Sequence, residues 1–171
     1  MPALPPKPIW GNSSPMPRLE ISRNDPNEHA TAMKQSLTPV GLVEHYLELL
    51  MGPDPAAARA YISPDLVIRF TGGRVMHDPT ECAAFNKQRY AWVKKRFAQT
   101  DLVADTGDGS HIVYNIGTLY GAWPDGTLFE GNRYVDRYVL RDGLIIAMDV
   151  WNDSAEWLLE PALIHRTGDK P

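Results

Sequence analysis

The chain has 171 residues, of which 43% are hydrophobic and 22% charged, with a formal net charge of −4 and one cysteine. Length and composition are those of a single soluble globular domain. The charge argues against nucleic acid or an anionic membrane as a partner, no apolar run reaches the length of a membrane span, and a lone cysteine excludes an intrachain disulfide. Since the N-terminus also lacks the apolar segment of a signal peptide, we expect a cytoplasmic protein.

Residues 1–37 are rich in proline and have few periodic apolar positions. This composition predicts an extended or disordered N-terminal arm. We expect one folded domain over residues 38–159 and a polar C-terminal tail over residues 160–171, with no internal repeat and no second domain.

Two helix starts open the folded part. Thr38-Pro39 is an N-cap followed by proline at the first helical position, and the apolar residues that follow recur at helical spacing: Val43, Tyr46, Leu47 and Leu50. Asp54-Pro55 predicts a second, short helix that ends near Tyr61. The alternating segment Leu66 to Phe70 predicts a strand that Gly72-Gly73 interrupts.

A capping box begins the next helix. Asp78-Pro79-Thr80-Glu81 marks its start, and we predict that it runs to about Ala98 with Trp92 near its apolar face. Strands are then predicted near residues 101–106, 110–123, 127–140 and 144–152, followed by a helical turn from Asp153 to Leu159. Helices grouped before a run of strands indicate an α+β fold, with the helices on one face of a curved antiparallel sheet that wraps around the long helix.

The last two strands flank Asp142-Gly143, which is the strongest hairpin signal in the chain. A two-residue turn places Asp136 opposite Asp149, Tyr134 opposite Trp151, and Tyr138 opposite Ala147. Directly opposed residues share a face, so this register predicts a face with two carboxylates and several aromatic rings. A three-residue loop instead places Asp136 opposite Met148 and turns Asp149 to the other face, and the sequence leaves both registers open.

The element order, the helix segment Val43-Glu44-His45-Tyr46-Leu47 and the hairpin from Asn132 to Asn152 resemble the nuclear-transport-factor-2-like superfamily, also called SnoaL-like or ketosteroid-isomerase-like. The segment from Gly131 to Gly143 is similar to the phenazine-biosynthesis A/B proteins, which are small dimeric members. The resemblance covers roughly residues 38–159. It implies a cone-shaped sheet around a long helix and a homodimer through the outer sheet face.

The same resemblance implies roles for two residues. Tyr46 matches the tyrosine that donates a hydrogen bond to the substrate oxygen in ketosteroid isomerases, and Asp136 falls where those enzymes hold a protonated aspartic acid. The general-base aspartate of that family is missing, because Arg69 and Phe70 occupy its neighbourhood. Ketosteroid isomerisation itself is therefore not expected.

These residues predict acid/base chemistry. If Asp136 and Asp149 share a pocket, repulsion and desolvation favour one protonated and one ionised carboxyl group, which supplies a general acid and a general base. Tyr46 would donate to a developing oxyanion, and His77, just before the capping box, is a further catalytic candidate at the pocket mouth. The predicted substrate-binding residues are mostly aromatic: Tyr134, Tyr138, Trp151, Asn132, Met148, Trp92 and Phe70.

Each site residue also has a structural interpretation. Tyr46 is also typical of a core tyrosine, Asp136 of an ion pair with Arg133 or Arg69, Asp149 of a solvent-facing strand residue, and His77 of a surface loop. Histidines at metal-ligand spacing and phosphate-binding loops are absent from the sequence, so we expect neither a metal nor a cofactor.

The sequence therefore yields two hypotheses. The first is a cofactor-independent isomerase, dehydratase or cyclase that acts on a small apolar, cyclic molecule in an enclosed pocket. The second is a non-catalytic small-molecule-binding or assembly subunit with the same fold.

Overall fold

The computed structural model describes residues 37–103 and 106–155. The predicted arm, apart from its last residue, and the predicted tail lie outside the described residues, as does most of the helical turn predicted up to Leu159. The elements in chain order are α1 (Pro39–Met51), a 3₁₀ helix (Pro55–Tyr61), β1 (Ile62–Phe70), β2 (Arg74–Met76), α2 (Pro79–Arg89), β3 (Trp92–Val103), β4 (His111–Ala122), β5 (Leu128–Arg141) and β6 (Leu144–Asn152).

Three of the helix starts that the sequence predicts, at Thr38, Asp54 and Asp78, are confirmed. Thr38 Oγ1 accepts a hydrogen bond from the Gly41 amide at 3.1 Å, and Asp54 Oδ1 accepts from the Ala56 amide at 3.1 Å. Asp78 Oδ1 accepts from the Thr80 amide at 2.7 Å. Each cap satisfies an amide that has no partner inside its helix, and a proline follows each cap.

The predicted end of α2 is wrong. The helix stops at Arg89 instead of about Ala98, because Tyr90 adopts an extended conformation and residues 92–103 form β3. β3 pairs along its whole length with β4, and this ladder outweighs the helix propensity of the segment. Trp92 consequently lies on a strand, 45% exposed, and not on a helix face.

The six strands form one sheet in the order β2-β1-β6-β5-β4-β3. The fold is α+β, as predicted, but the sheet is mixed, because β1 runs parallel to β6 while the other pairs are antiparallel. Gly72 and Gly73 both have positive φ in the tight turn between β1 and β2.

The final hairpin has the predicted turn but neither predicted register. Asp142 and Gly143 take φ values of 51° and 71°, and Arg141 pairs with Leu144. A β-bulge then shifts the pairing by one residue beside Leu140, so Asp136 faces Val150. The predicted pairs Asp136–Asp149 and Asp136–Met148 are both wrong.

The core lies between α1 and the inner face of the sheet. The predicted α1 stripe is buried, apart from the half-buried Leu50, and packs with apolar side chains of β1, β4, β5 and β6: Leu66, Ile68, Val113, Tyr138, Leu140, Ile145 and Met148. A second cluster joins Tyr90, Leu119, Phe129 and Tyr134 at the other end of the sheet. None of the helices within residues 37–103 and 106–155 has the length and apolarity that crossing a membrane requires.

Candidate functional site

A cavity lies between the two α-helices and the inner face of the sheet. It encloses about 730 Å³ of empty space, with its open mouth included. Apolar groups from α1, α2 and five strands form most of its wall, and Asp136 is the only carboxylate that the described residues contribute. The aromatic and ionisable residues of the wall are Phe70, Tyr90, Tyr134, Tyr138, Cys82, Lys94, Lys95 and Asp136.

Asp136 is the chemically distinctive group of this cavity. It is 1% exposed, its Oδ2 forms an ion pair with Lys95 Nζ, and Tyr138 Oη donates a hydrogen bond to the same oxygen at 3.0 Å. Its Oδ1 has no hydrogen-bond partner among the described residues. A buried carboxylate oxygen without a donor is costly, and it leaves one acceptor free beside the cavity.

Lys95 supplies the cation of the site. Its side chain is 17% exposed, and Nζ lies 4.2 Å from the centroid of the Tyr134 ring. An ammonium group over a ring face is attracted by the ring's negative face, so Lys95 has two partners at once. The arrangement puts a proton acceptor and a fixed positive charge side by side in an apolar surrounding.

Burial keeps the neighbouring hydroxyl and thiol groups protonated. Desolvation, and then the nearby charge of Asp136, raise the pKa of Tyr138 and of Tyr134 well above the ordinary tyrosine value. Desolvation, followed by the charge of Glu81, raises the pKa of Cys82 to about 12. These groups therefore act at neutral pH as hydrogen-bond partners and not as anions.

Tyr46 does not line the cavity but packs behind two residues of its wall, Tyr138 and Met148. It is completely buried, its hydroxyl donates to Met148 Sδ at 3.4 Å, and its ring meets Tyr138 edge-on at 6.2 Å. Burial raises its pKa well above the ordinary value. Tyr46 is therefore placed as a core tyrosine. Its hydroxyl group does not face the cavity, where a substrate oxygen would lie.

Asp149 is on the opposite face of the sheet, so the predicted pair of carboxylates in one pocket is wrong. Its carboxylate accepts from Arg137 at 2.9 Å and lies 3.6 Å from Arg69. Trp151 shares that outer face and is 49% exposed, so it is not part of an aromatic cavity wall. Both corrections follow from the bulge, because a one-residue slip reverses the direction of every later side chain.

The other predicted residues divide into two groups. Phe70, Tyr134, Tyr138 and Met148 line the cavity. His77, Asn132 and Trp92 do not: His77 Nδ1 lies 2.8 Å from the Leu66 carbonyl oxygen, Asn132 Nδ2 donates to Ser154 Oγ at 2.8 Å, and Trp92 packs edge-on against Tyr120. Each of these three side chains is engaged elsewhere in the structure.

Sequence reasoning missed Lys95, because it lay within the segment assigned to α2. Val93, Lys95 and Phe97 alternate with the more exposed Trp92, Lys94 and Arg96, and this period of two was the available signal. Tyr90 and Asn86 were also missed as site residues and line the cavity. Within the described part of the chain, no group of three or more His, Cys, Asp or Glu is placed to hold a metal ion.

Comparison with known proteins establishes the fold. No family model matches the chain, and no curated protein matches it. Among solved structures, a nuclear-transport-factor-2-like protein from Burkholderia thailandensis is 20% identical with a TM-score of 0.57, and the match covers 75% of this chain and 99% of that one. A proposed SnoaL-like polyketide cyclase from Jannaschia is 17% identical with a TM-score of 0.53, over 77% and 99% of the two chains.

TerC, crystallised with polyporic acid, is 12% identical with a TM-score of 0.55, over 68% of this chain and 92% of that one. At these identities the matches concern the fold alone. The chain has the nuclear-transport-factor-2-like, SnoaL-like fold, so the predicted fold is confirmed.

Proposed function

We propose that this protein is a cofactor-independent acid/base enzyme that removes a proton from a carbon next to a carbonyl group in a small, largely apolar ring compound. The observation that carries the proposal is the buried ion pair of Asp136 and Lys95 at the wall of an apolar cavity, with Asp136 Oδ1 free of hydrogen bonds. Within this arrangement the carboxylate is the general base, and the ammonium group is the charge that stabilises the product anion.

The proposed reaction starts when the Asp136 carboxylate takes the carbon-bound proton. The electron pair of that C–H bond moves into the neighbouring carbonyl group, which becomes an enolate whose oxygen faces the Lys95 ammonium group. In a cyclase, the enolate carbon then forms a bond to a second carbonyl carbon of the same molecule, and the resulting alkoxide takes the proton back from Asp136. In an isomerase, the proton returns to a different carbon, so both reactions begin with the same step.

The solved structures with this fold support the cyclase alternative. Several are described as proposed polyketide cyclases, from Jannaschia, Sinorhizobium meliloti and Pseudomonas putida. A ring-closing reaction of that kind needs a base, a charge for the enolate oxygen and an apolar enclosure. In this chain the proposed base is Asp136, the charge is that of Lys95, and the enclosure is the cavity wall.

The test is a base-catalysed elimination with a chromophoric product. In nitrobenzisoxazole, loss of the ring C–H proton to a base breaks the N–O bond and releases a cyanonitrophenolate, so the reaction reports a desolvated carboxylate without knowledge of the natural substrate. We expect Asp136→Asn to lower the rate by about a hundredfold or more. Asp149→Asn is the matched control, because it removes a carboxylate from the outer face, and its rate should stay near that of the unmodified protein.

A second candidate function is ligand binding without turnover. It is favoured by the enclosure of Asp136, whose Oδ2 already has two partners, and by the lack of a second carboxylate among the cavity residues described. Saturable binding of 1-naphthol, measured by fluorescence, together with elimination no faster in the unmodified protein than in Asp136→Asn, would establish this alternative in place of the enzyme.

We also propose that the protein forms a homodimer through the outer sheet face. An apolar row crosses three strands and consists of Ile116 on β4, Val135 on β5 and Trp151 on β6. Val135 and Trp151 are exposed, at 36% and 49%. A parallel apolar row consists of Ala147, Val139 and Ile112. A two-fold axis would let such a face bury itself against its own copy.

A further inference from the structure

A chain of hydrogen bonds crosses the inner face of the sheet from α1 to the wall of the cavity. Thr100 Oγ1 donates to Glu44 Oε1 at 2.7 Å, and Asn115 Nδ2 donates to Thr100 Oγ1 at 2.9 Å. Tyr134 Oη donates to Asn115 Oδ1 at 2.6 Å. Asn115 is completely buried and Tyr134 is 2% exposed, so the inner half of this chain is shielded from water.

The carboxylate at one end fixes the direction of every bond. Glu44 can only accept when ionised, so the single proton of the Thr100 hydroxyl is used there. Thr100 must then accept from the amide NH₂ of Asn115, which turns the Asn115 carbonyl oxygen towards Tyr134. The hydroxyl group of Tyr134 therefore donates its hydrogen to Asn115. Tyr134 faces the cavity with its ring and has no hydroxyl hydrogen left to donate to a ligand.

That ring is the surface on which the Lys95 ammonium group rests, 4.2 Å from the ring centroid, while Lys95 pairs with Asp136. Gly117 lies directly opposite Tyr134 on β4, where an added Cβ would come within 3.1 Å of Tyr134 Cε1. Gly117 limits movement across the sheet, and Asn115 holds the end of the ring. The position of the cation thus depends on Asn115, which is paired with Asp136 across β4 and β5 but whose side-chain hydrogen bonds go to Thr100 and Tyr134.

We propose that Asn115, held by Thr100, is a positioning residue that sets the place of the Lys95 ammonium group through the ring of Tyr134. This proposal rests on the proposed function, because it names what aligns the charge beside the base. A buried chain of polar groups destabilises the fold unless every group is hydrogen-bonded. An apolar contact at the position of Asn115 would stabilise the fold equally well. The paired Asn115 is therefore explained by the orientation that it gives to Tyr134.

The first test measures the position of Lys95 without any reaction. In the unmodified protein, the ring current of Tyr134 should shift the NMR signals of the Lys95 ε-methylene protons upfield. We expect Asn115→Leu, which keeps the branched shape of the side chain and removes both hydrogen bonds, to reduce that shift. Thr118→Val, on the outer face of β4, is the control and should leave it unchanged. An unchanged Lys95 shift in a folded Asn115→Leu protein would overturn the proposal.

The second test uses the elimination of nitrobenzisoxazole. We expect Asn115→Leu and Tyr134→Phe each to lower kcat on the order of tenfold, with KM little changed, and the double variant to lose no more than the worse single variant. The pH profile of kcat should change in the same variants and not in Thr118→Val. Additive losses, or losses in KM alone, contradict the proposal. If Asp136→Asn retains full activity, the proposed function fails, and the NMR result still decides whether Asn115 positions Lys95.

Discussion

Lys95 reaches Asp136 across the ring of Tyr134. On the inner face, Lys95 is opposite Leu119, and Leu119 is opposite Asn132, which places Lys95 four residues away from Asp136 along β5. Tyr134 lies between these two positions, and the Lys95 side chain extends over it to the carboxylate. The ion pair therefore joins β3 and β5, two strands that β4 separates, and it depends on the ring between them.

Loss of the cation should destabilise the fold. Lys95→Met keeps an apolar stem of similar length but leaves a carboxylate that is 1% exposed with Tyr138 as its remaining hydrogen-bond donor. We expect the free energy of unfolding to fall by about 3 kcal/mol, because a buried charge without its counter-ion keeps its full desolvation cost. Urea denaturation followed by circular dichroism measures this change.

The double variant Lys95→Met, Asp136→Leu supplies the control. Replacement of both charges by apolar groups of similar size removes the unpaired carboxylate, so most of the lost stability should return. Since the base is also gone, elimination activity should be lost in the double variant. A double variant as unstable as Lys95→Met would show that the loss arises from packing and not from the unpaired charge.

Acid stability should depend on the pair of Arg59 and Asp78 at the start of α2. Arg59 Nη2 donates to Asp78 Oδ1 at 3.0 Å, and the hydrogen bond from Arg59 is the largest cause that lowers the pKa of Asp78 to about 2. A lowered pKa stabilises the fold above the ordinary aspartate value near 3.8, and this contribution is lost as the pH falls through about 2.

Arg59→Gln should therefore be less stable than the unmodified protein at neutral pH, and the two should become equally stable below about pH 2. Thermal unfolding at a series of pH values gives the comparison. Arg96→Gln, which removes the exposed pair with Glu130 at 3.8 Å, serves as the control and should follow the unmodified protein. A constant difference between Arg59→Gln and the unmodified protein at every pH would contradict the assignment.

The hairpin shows how far the sequence determines the site. Asp142-Gly143 predicted the turn correctly, because few other dipeptides accept two positive φ values. The bulge beside Leu140 could not be predicted, since the β6 residues next to the turn, Ile145, Ile146 and Ala147, are apolar on both faces and do not oppose a slip. The position of Asp149 was wrong for that reason, although Asp136 was correctly identified as facing inward.

Lys95 illustrates a second limit. The segment Lys94-Lys95-Arg96-Phe97-Ala98-Gln99 has residues of good helix propensity, and local preference favoured an extension of α2. Pairing with β4 decided otherwise, and such long-range partners are not visible in one sequence. Any site that depends on β3, including the ion pair with Asp136, was therefore beyond the sequence-based prediction.

The proposed dimer predicts a specific effect of charge on the outer face. Val135→Glu places a carboxylate in the apolar row beside Trp151, so it should convert the dimer to a monomer at micromolar concentration. Val75→Glu makes the same change on β2, where the side chain is 52% exposed, and this control should remain dimeric. Sedimentation velocity measures both. A monomeric unmodified protein, or a dimeric Val135→Glu, would rule out this interface.

The close approach of β3 and β4 beneath Tyr134 leads to the last prediction. An added Cβ at Gly117 would lie 2.1 Å from the Arg96 carbonyl oxygen and 3.1 Å from Tyr134 Cε1. Because the first neighbour is backbone, Gly117→Ala forces the two strands apart, and we expect a loss of about 3 kcal/mol in the free energy of unfolding. Denaturation with urea measures it.

Gly41→Ala is the matched control for this substitution. Its Cβ would lie 3.3 Å from a side-chain oxygen, Thr38 Oγ1, and α1 gains helix propensity, so the stability should change by less than about 1 kcal/mol. In the Gly117→Ala protein, displacement of the Tyr134 ring should also reduce the upfield shift of the Lys95 ε-methylene protons. Unchanged stability together with an unchanged shift would mean that Gly117 does not support the ring, and the alignment of Lys95 would then depend on Asn115 alone.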